Sequence, residues 1–208
     1  MARAKNRDKI IQTATYLFNE QGFVNVRLQH ISDASIISLG NIAYHFKNKG
    51  AILEAIYEQW EHEQRDALIE YRNAPIFENL ERIFGSVSNL QSQYRFFYTD
   101  LLEIKRTFPE IFERLSQFFQ WQVLLFQDII QFNIARGAFQ PLSQSKISFL
   151  ANLLLQQLTT LPYSRLVWPE ASPSTSDQLW RILEPYLTPI GEDELEVVRR
   201  QTIRWEEE

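Results

Sequence analysis

The chain has 208 residues, of which 45% are hydrophobic and 23% charged, with six glycines and eight prolines. That balance supports a buried core in one or two domains and argues against long disordered tracts. There is no cysteine, which excludes disulfides, thiolate metal centres and a cysteine nucleophile together.

The net charge of −5 conceals a gradient. Residues 1–50 carry Arg3, Lys5, Arg7, Lys9, Arg27, Lys47 and Lys49 against Asp8, Glu20 and Asp33, a net +4 that leaves −9 for the remainder. The asymmetry fits a polyanion-binding N-terminal module joined to a body that binds something else. The basic start MARAKNRDKI leads into an amphipathic pattern instead of an apolar signal core. No run reaches the roughly 18 apolar residues of a membrane span, since even LANLLLQQL is broken by Asn152 and Gln156. A cytoplasmic protein without a membrane partner is expected.

From Asp8 to Gln21 the apolar residues Ile10, Ile11, Ala14, Leu17 and Phe18 recur at helical spacing. Gly22 stands where a left-handed C-terminal cap belongs, with Phe23 placed to pack beneath it. A second helix is predicted over about 27–34, with Leu28, Ile31 and Ala34 inward and Asn25 available as an early cap. Ser38 has the chemistry to cap a third, ending near Tyr44 or His45. Only Ser35–Ile37 connects the two, the spacing of a helix-turn-helix whose second helix can enter a major groove.

A long amphipathic helix should run from after Asn48 to about Arg72, with Ile52, Leu53, Ile56, Tyr57, Trp60, Ala67, Leu68 and Tyr71 on its inner stripe. Further helices are predicted at about 75–92, 94–107, 109–136, 143–162 and 175–187, separated by Pro75, Pro109, Gly137 with Pro141, and the SPSTS segment. Residues 163–175 read as a linker, and the acidic tail from Gly191 as a marginal last helix. No strand-like alternation is sustained, so the fold class is all-α.

Gly22-Phe23, Ile31, Ser38, Gly40-Asn41 and above all Tyr44-His45-Phe46-Lys47-Asn48-Lys49 resemble the TetR family of bacterial one-component repressors. The motif residues lie within about 8–60, and the rest agrees in length and helical content. The resemblance implies an N-terminal three-helix head and a larger helical body for effector binding and dimerisation. The corresponding domains are 5–65, with the helix-turn-helix at about 28–47, and 66–208. It also implies a homodimer on a palindromic double-stranded DNA operator, released or strengthened by a small-molecule effector, with no cofactor or metal. The implied DNA contacts are Arg27, Ser38, Leu39, Gly40, Asn41, Tyr44, His45, Lys47 and Lys49. Gly40 lets backbone approach the duplex, Asn41 can meet a base edge, and Tyr44 and His45 can donate to phosphates. Lys49 adds charge at the start of the fourth helix, where phosphate is favoured.

Three positions depart from the family pattern. Val26-Arg27 replace a usual threonine pair, so that Arg27 substitutes charge for a hydroxyl contact. Ile36 stands near a usual glycine, where a β-branched residue at positive φ is strained by about 1–2 kcal/mol, and an altered turn is expected. Leu39 and Ala43 replace common basic and aromatic residues, with Leu39 suited to a thymine methyl. Fewer cations imply a shallower salt dependence of binding.

The segment from Tyr94 to Phe132 is rich in aromatics, a pattern that more often builds core than a ligand cage. Expected effector contacts within it or beside it are Tyr98, Asp100, Phe119, Trp121, Gln122 and Asp128, and a carboxylate among rings there favours a cationic effector. Helices 143–162 and 175–187 carry apolar faces suited either to a dimer interface, as the resemblance implies, or to completing the monomer core. An enzyme is not expected: the chain has three histidines, the Glu58/His62 pair reads as surface, and no phosphate loop follows a strand. The alternative is a helical small-molecule or partner-binding protein whose head no longer reads DNA.

Overall fold

The computed structural model describes residues 2–69, 74–169 and 174–206. Eleven α-helices occur there: α1 (Ala2–Gln21), α2 (Leu28–Ser35), α3 (Leu39–His45), α4 (Lys49–Ile69), α5 (Phe77–Gln93), α6 (Phe96–Thr99), α7 (Leu101–Thr107), α8 (Pro109–Ala135), α9 (Gln144–Val167), α10 (Thr175–Leu183) and α11 (Pro189–Glu206). The described residues hold no strand beyond an isolated bridge between Phe139 and Leu187. An all-α architecture is therefore established. No described helix is long and apolar enough to cross a membrane.

The helices form two compact units that are not contiguous in sequence. The first comprises Met1–Gln64 with Leu90–Ser116, and the second Arg65–Asn89 with Gln117–Glu208. A division at residues 65/66 alone thus omits 90–116, which packs with the head. Ile10, Ala14, Phe18, Phe23, Ile31, Ile42, Ile52, Ile56, Trp60, Phe96 and Phe97 build the core of the first unit. Phe18 meets Phe23 and Phe96 edge-on at 5.0 and 5.3 Å, the geometry that aromatic quadrupoles favour.

Besides α1, which starts at Ala2 ahead of the expected Asp8, four elements differ from their predicted bounds. The helix expected over 94–107 breaks into α6 and α7 at Asp100, which leaves helical geometry (φ −105°, ψ 18°). Its carboxylate there accepts the N–H of Phe23 at 2.5 Å. Helix α9 runs through Pro162 to Val167, so 163–167 are helix and not linker; residues 170–173 of that expected linker lie outside the described residues. Arg165 secures the extension by donating to Thr175 Oγ1 at 2.7 Å. Helix α10 stops at Leu183 and passes into a 3₁₀ turn, Glu184–Tyr186, with Pro185 inside it. The tail forms an 18-residue helix, α11. Glu194 ties it down by a bidentate pair with Arg136 at 2.6 and 2.9 Å and by accepting the N–H of Phe77 at 2.9 Å. The predicted end of α4 near Arg72 lies outside the described residues.

Candidate nucleic-acid interface

The head begins with a capped stop. Gly22 takes φ 78° and its N–H donates to the Phe18 carbonyl at 3.1 Å, a left-handed terminus that suits glycine. Asn25 serves this end as well: its side-chain amide donates to the Gln21 carbonyl at 2.7 Å, so it does not cap α2. The cap residue of α2 is Arg27, whose N–H donates to His30 Nδ1 at 3.3 Å. The reciprocal arm of a capping box thus comes from the third helical position, and the Arg27 side chain is left exposed.

The turn between α2 and α3 keeps its left-handed form. Ile36 adopts φ 57° and ψ 37° with 88% of its surface exposed, so the altered turn expected for a β-branched residue does not occur. Ser32 explains why. Its carbonyl accepts the N–H groups of Ile36 and, at 3.2 Å, Ile37, while its hydroxyl donates to the Ile37 carbonyl at 2.7 Å. Ile37 is itself buried. A strained residue persists where its surroundings over-determine it, and this clamp holds Ile36 from both sides.

Helix α3 opens with Ser38, whose side chain accepts from the Asn41 N–H at 3.3 Å. Only Ile42 of α3 is buried; Leu39, Gly40, Asn41, Ala43 and Tyr44 are exposed and His45 is half-buried. A methyl built on Gly40 would meet no atom within 4 Å, so this stretch of backbone is open to a close approach. Tyr44 packs edge-on against His45 at 5.3 Å. Beyond α3, Phe46 is core beneath the Arg7 guanidinium at 5.4 Å, and Lys47 is exposed.

Lys49 is placed differently from the other expected contacts. Its ammonium donates to the carbonyls of Phe23 at 2.8 Å and Val26 at 2.9 Å and lies 4.3 Å from the Phe23 ring centroid. Burial holds its pKa below the ordinary lysine value. Its donors are engaged in fixing the loop between α1 and α2. The sequence offers no local sign of this, because the partners lie more than twenty positions away.

Segment 90–116 braces the head from beneath. Besides the Asp100 bond, the N–H of Phe96 donates to Asn19 Oδ1 at 3.0 Å, Asn19 Nδ2 donates to the Gln93 carbonyl at 2.7 Å, and Arg95 donates to the Asn19 carbonyl at 2.7 Å. Phe108 packs edge-on against Phe23 at 5.6 Å and against Gly50, where an added methyl would fall 2.5 Å from its ring. These positioning residues escape sequence reasoning, except that Ser32 lies within one turn of the strained residue it holds.

The six expected effector contacts are divided between the units: Tyr98 and Asp100 belong to the first, and Phe119, Trp121, Gln122 and Asp128 to the second. Neither carboxylate lines the cavities described below. Asp100 is engaged with Phe23, and Asp128 is exposed on α8 despite its apolar sequence neighbours, since 128 falls on the outer face while Leu125, Phe126, Ile129 and Ile130 are buried. Trp121 already stacks with the Arg65 guanidinium at 4.6 Å. A cavity of about 280 Å³ in the first unit and one of about 540 Å³ in the second are lined by other residues. The support for a cationic effector is thereby withdrawn. The described residues hold no group of three or more His, Asp or Glu able to bind a metal.

Residues 10–56 match the family described as bacterial regulatory proteins, tetR family, and residues 59–195 match its bacterial transcriptional repressor region. The chain belongs to the TetR family. A TetR-family regulator from Marinobacter aquaeolei VT8 superimposes with a TM-score of 0.84 at 26% identity, covering 93% of this chain and 97% of that one. The HTH-type transcriptional repressor KstR2 of Mycolicibacterium smegmatis is 24% identical over 144 residues, 66% of this chain and 69% of its own length. The probable regulator YttP of Bacillus subtilis is 31% identical over 58 residues, 28% of each chain. TetR-family regulators are non-enzymatic DNA-binding proteins that bind small molecules and are typically dimers. This chain is a DNA-binding transcriptional regulator of the repressor type.

Proposed function

We propose that this chain is a ligand-responsive repressor of the cytoplasm that binds a palindromic operator as a homodimer, with α3 of each copy in a major groove. The observation that carries the reading is the exposed, Ser38-capped α3, with Gly40 open to approach and the exposed cations Arg27 and Lys47 at its two flanks. Ser38, Leu39, Gly40 and Asn41 face bases and sugars, and Arg27, Tyr44, His45 and Lys47 hold phosphates. Residues 5–65 act as the DNA-binding domain, with its helix-turn-helix at about 28–47 and residues 90–116 as its brace, and the rest of 66–208 acts as the effector and dimerisation domain.

Dimerisation is supported by the outer face of α9. Ile147, Leu150, Leu154, Leu158 and Leu161 are spent on the unit's own core, as are Leu179 and Leu183 of α10. Phe149, Tyr163, Leu166 and Val167 remain exposed on it, apolar side chains that a second copy would cover.

The test is a mobility shift of the full chain on duplex DNA from its own upstream region, at 50 and 200 mM salt, with sedimentation in parallel. A dimer that binds at low salt and weakens at high salt is expected. An intact dimer that binds at neither salt overturns the reading.

A further inference from the structure

The exposed surface of α3 is uncharged. Its solvent-facing residues are Leu39, Gly40, Asn41, Ala43 and Tyr44, with half-buried His45 closing the helix. Lysine is absent from it, and so is arginine. Lys47 lies beyond the end of the helix, and Lys49 is turned inward to the Phe23 and Val26 carbonyls. Guanine is read in the major groove chiefly by a bidentate arginine or lysine on its O6 and N7, whereas adenine suits an asparagine amide and thymine offers a C5 methyl to aliphatic side chains.

Leu39 and Ala43 lie four residues apart and therefore on one face of α3. Their separation along the axis is about 6 Å, close to two base steps at roughly 3.4 Å each. Leu39 is 43% exposed, so its isobutyl group is available without disturbing the core. Gly40 beside it removes any side chain that would hold the helix off the groove floor.

We infer that this head recognises A·T pairs, with Leu39 and Ala43 contacting thymine C5 methyls and Asn41 paired with adenine, and that α3 makes no guanine contact. Leu39 is the specificity-determining residue of the three, because it presents the largest apolar surface to the groove. The inference rests on the proposed entry of α3 into a major groove.

The test starts from a random duplex pool selected on the full-length protein. The tightest sequence is then remade with deoxyuridine in place of thymine, one position at a time, which removes the methyl and keeps the pairing. Selected half-sites rich in A·T are expected, with one or two positions at which deoxyuridine weakens binding by about fourfold, the effect of one buried methyl. In Leu39→Ala the most sensitive position should lose its response, and 5-methylcytosine should bind better than cytosine there in the wild type. Leu39→Arg should shift selection at that position toward guanine. Selection of half-sites with guanine at every contacted position, or indifference to deoxyuridine throughout, overturns the inference and leaves the DNA-binding reading intact. Failure to enrich any duplex overturns both. Leu39 being exposed, unchanged thermal melting of its variants confirms that recognition and not folding has been altered.

Discussion

The backbone N–H of Phe23 donates to the carboxylate of Asp100 at 2.5 Å, across 77 positions of sequence. The bond caps the loop that follows α1 from a different part of the chain. Replacing Asp100 with alanine leaves a partly buried donor unsatisfied and should lower stability by about 1–3 kcal/mol, while Asp100→Asn, which keeps an acceptor, should lose less. Urea unfolding followed by tryptophan fluorescence measures both, and equal losses would show that the hydrogen bond is not what Asp100 contributes.

Lys47 and Lys49 should separate cleanly. Lys47 is exposed, and Lys47→Ala should leave stability unchanged while reducing the salt slope of DNA binding by about one. Lys49 holds loop carbonyls, so Lys49→Met should destabilise the fold by about 1–3 kcal/mol. At temperatures where that variant remains folded its salt slope should match the wild type. A reduced slope for Lys49→Met would place its charge on the duplex.

Ile36→Gly should stabilise the protein. Relief of the left-handed strain is worth about 1–2 kcal/mol and the extra flexibility of glycine in the unfolded chain takes back roughly 0.5–1 kcal/mol. An 88% exposed side chain has almost no packing to lose. A rise of a few degrees in the thermal midpoint is expected by calorimetry. A fall would mean that the Ile36 side chain makes contacts that outweigh its strain.

Two glycines near the interface should answer an added methyl in opposite ways. Gly40→Ala meets empty space and should keep or raise stability, yet reduce DNA affinity by roughly tenfold, the size of one lost base contact. Gly50→Ala drives a methyl to 2.5 Å from the Phe108 ring and should lose about 1–3 kcal/mol through overpacking. Melting and anisotropy titrations on both variants decide it.

Much of the head is legible in the sequence because its signals are local. The apolar spacing of Ile10, Ala14 and Phe18, the glycine stop at Gly22 and the Ser38 cap each act within one or two helical turns. Ile36 shows the limit of that approach. Its strain was readable from residue type, but its persistence depends on the Ser32 clamp, and local propensity gives way to such geometry. The engagement of Lys49 and Asp100 is hidden from the sequence for a related reason: their partners are carbonyl and N–H groups that carry no residue identity. Asp128 is exposed although its flanking residues are apolar and buried, because sequence neighbours on a helix are not spatial ones. Helix α9 passes its predicted end because Arg165 holds the turn that follows Pro162, through a partner ten positions away.

The bracing of the head by residues 90–116 bears on how this regulator can be dissected and rewired. A fragment ending after the first four helices would expose Phe18, Phe23 and Phe96's partner surfaces and leave the Phe23 N–H bare, so it is a poor choice for isolated binding studies. Chimaeras that exchange DNA specificity with a relative by cutting once after α4 would pair one protein's loop with another's brace. The transplantable module is a two-piece one, and its second piece has to travel with the first.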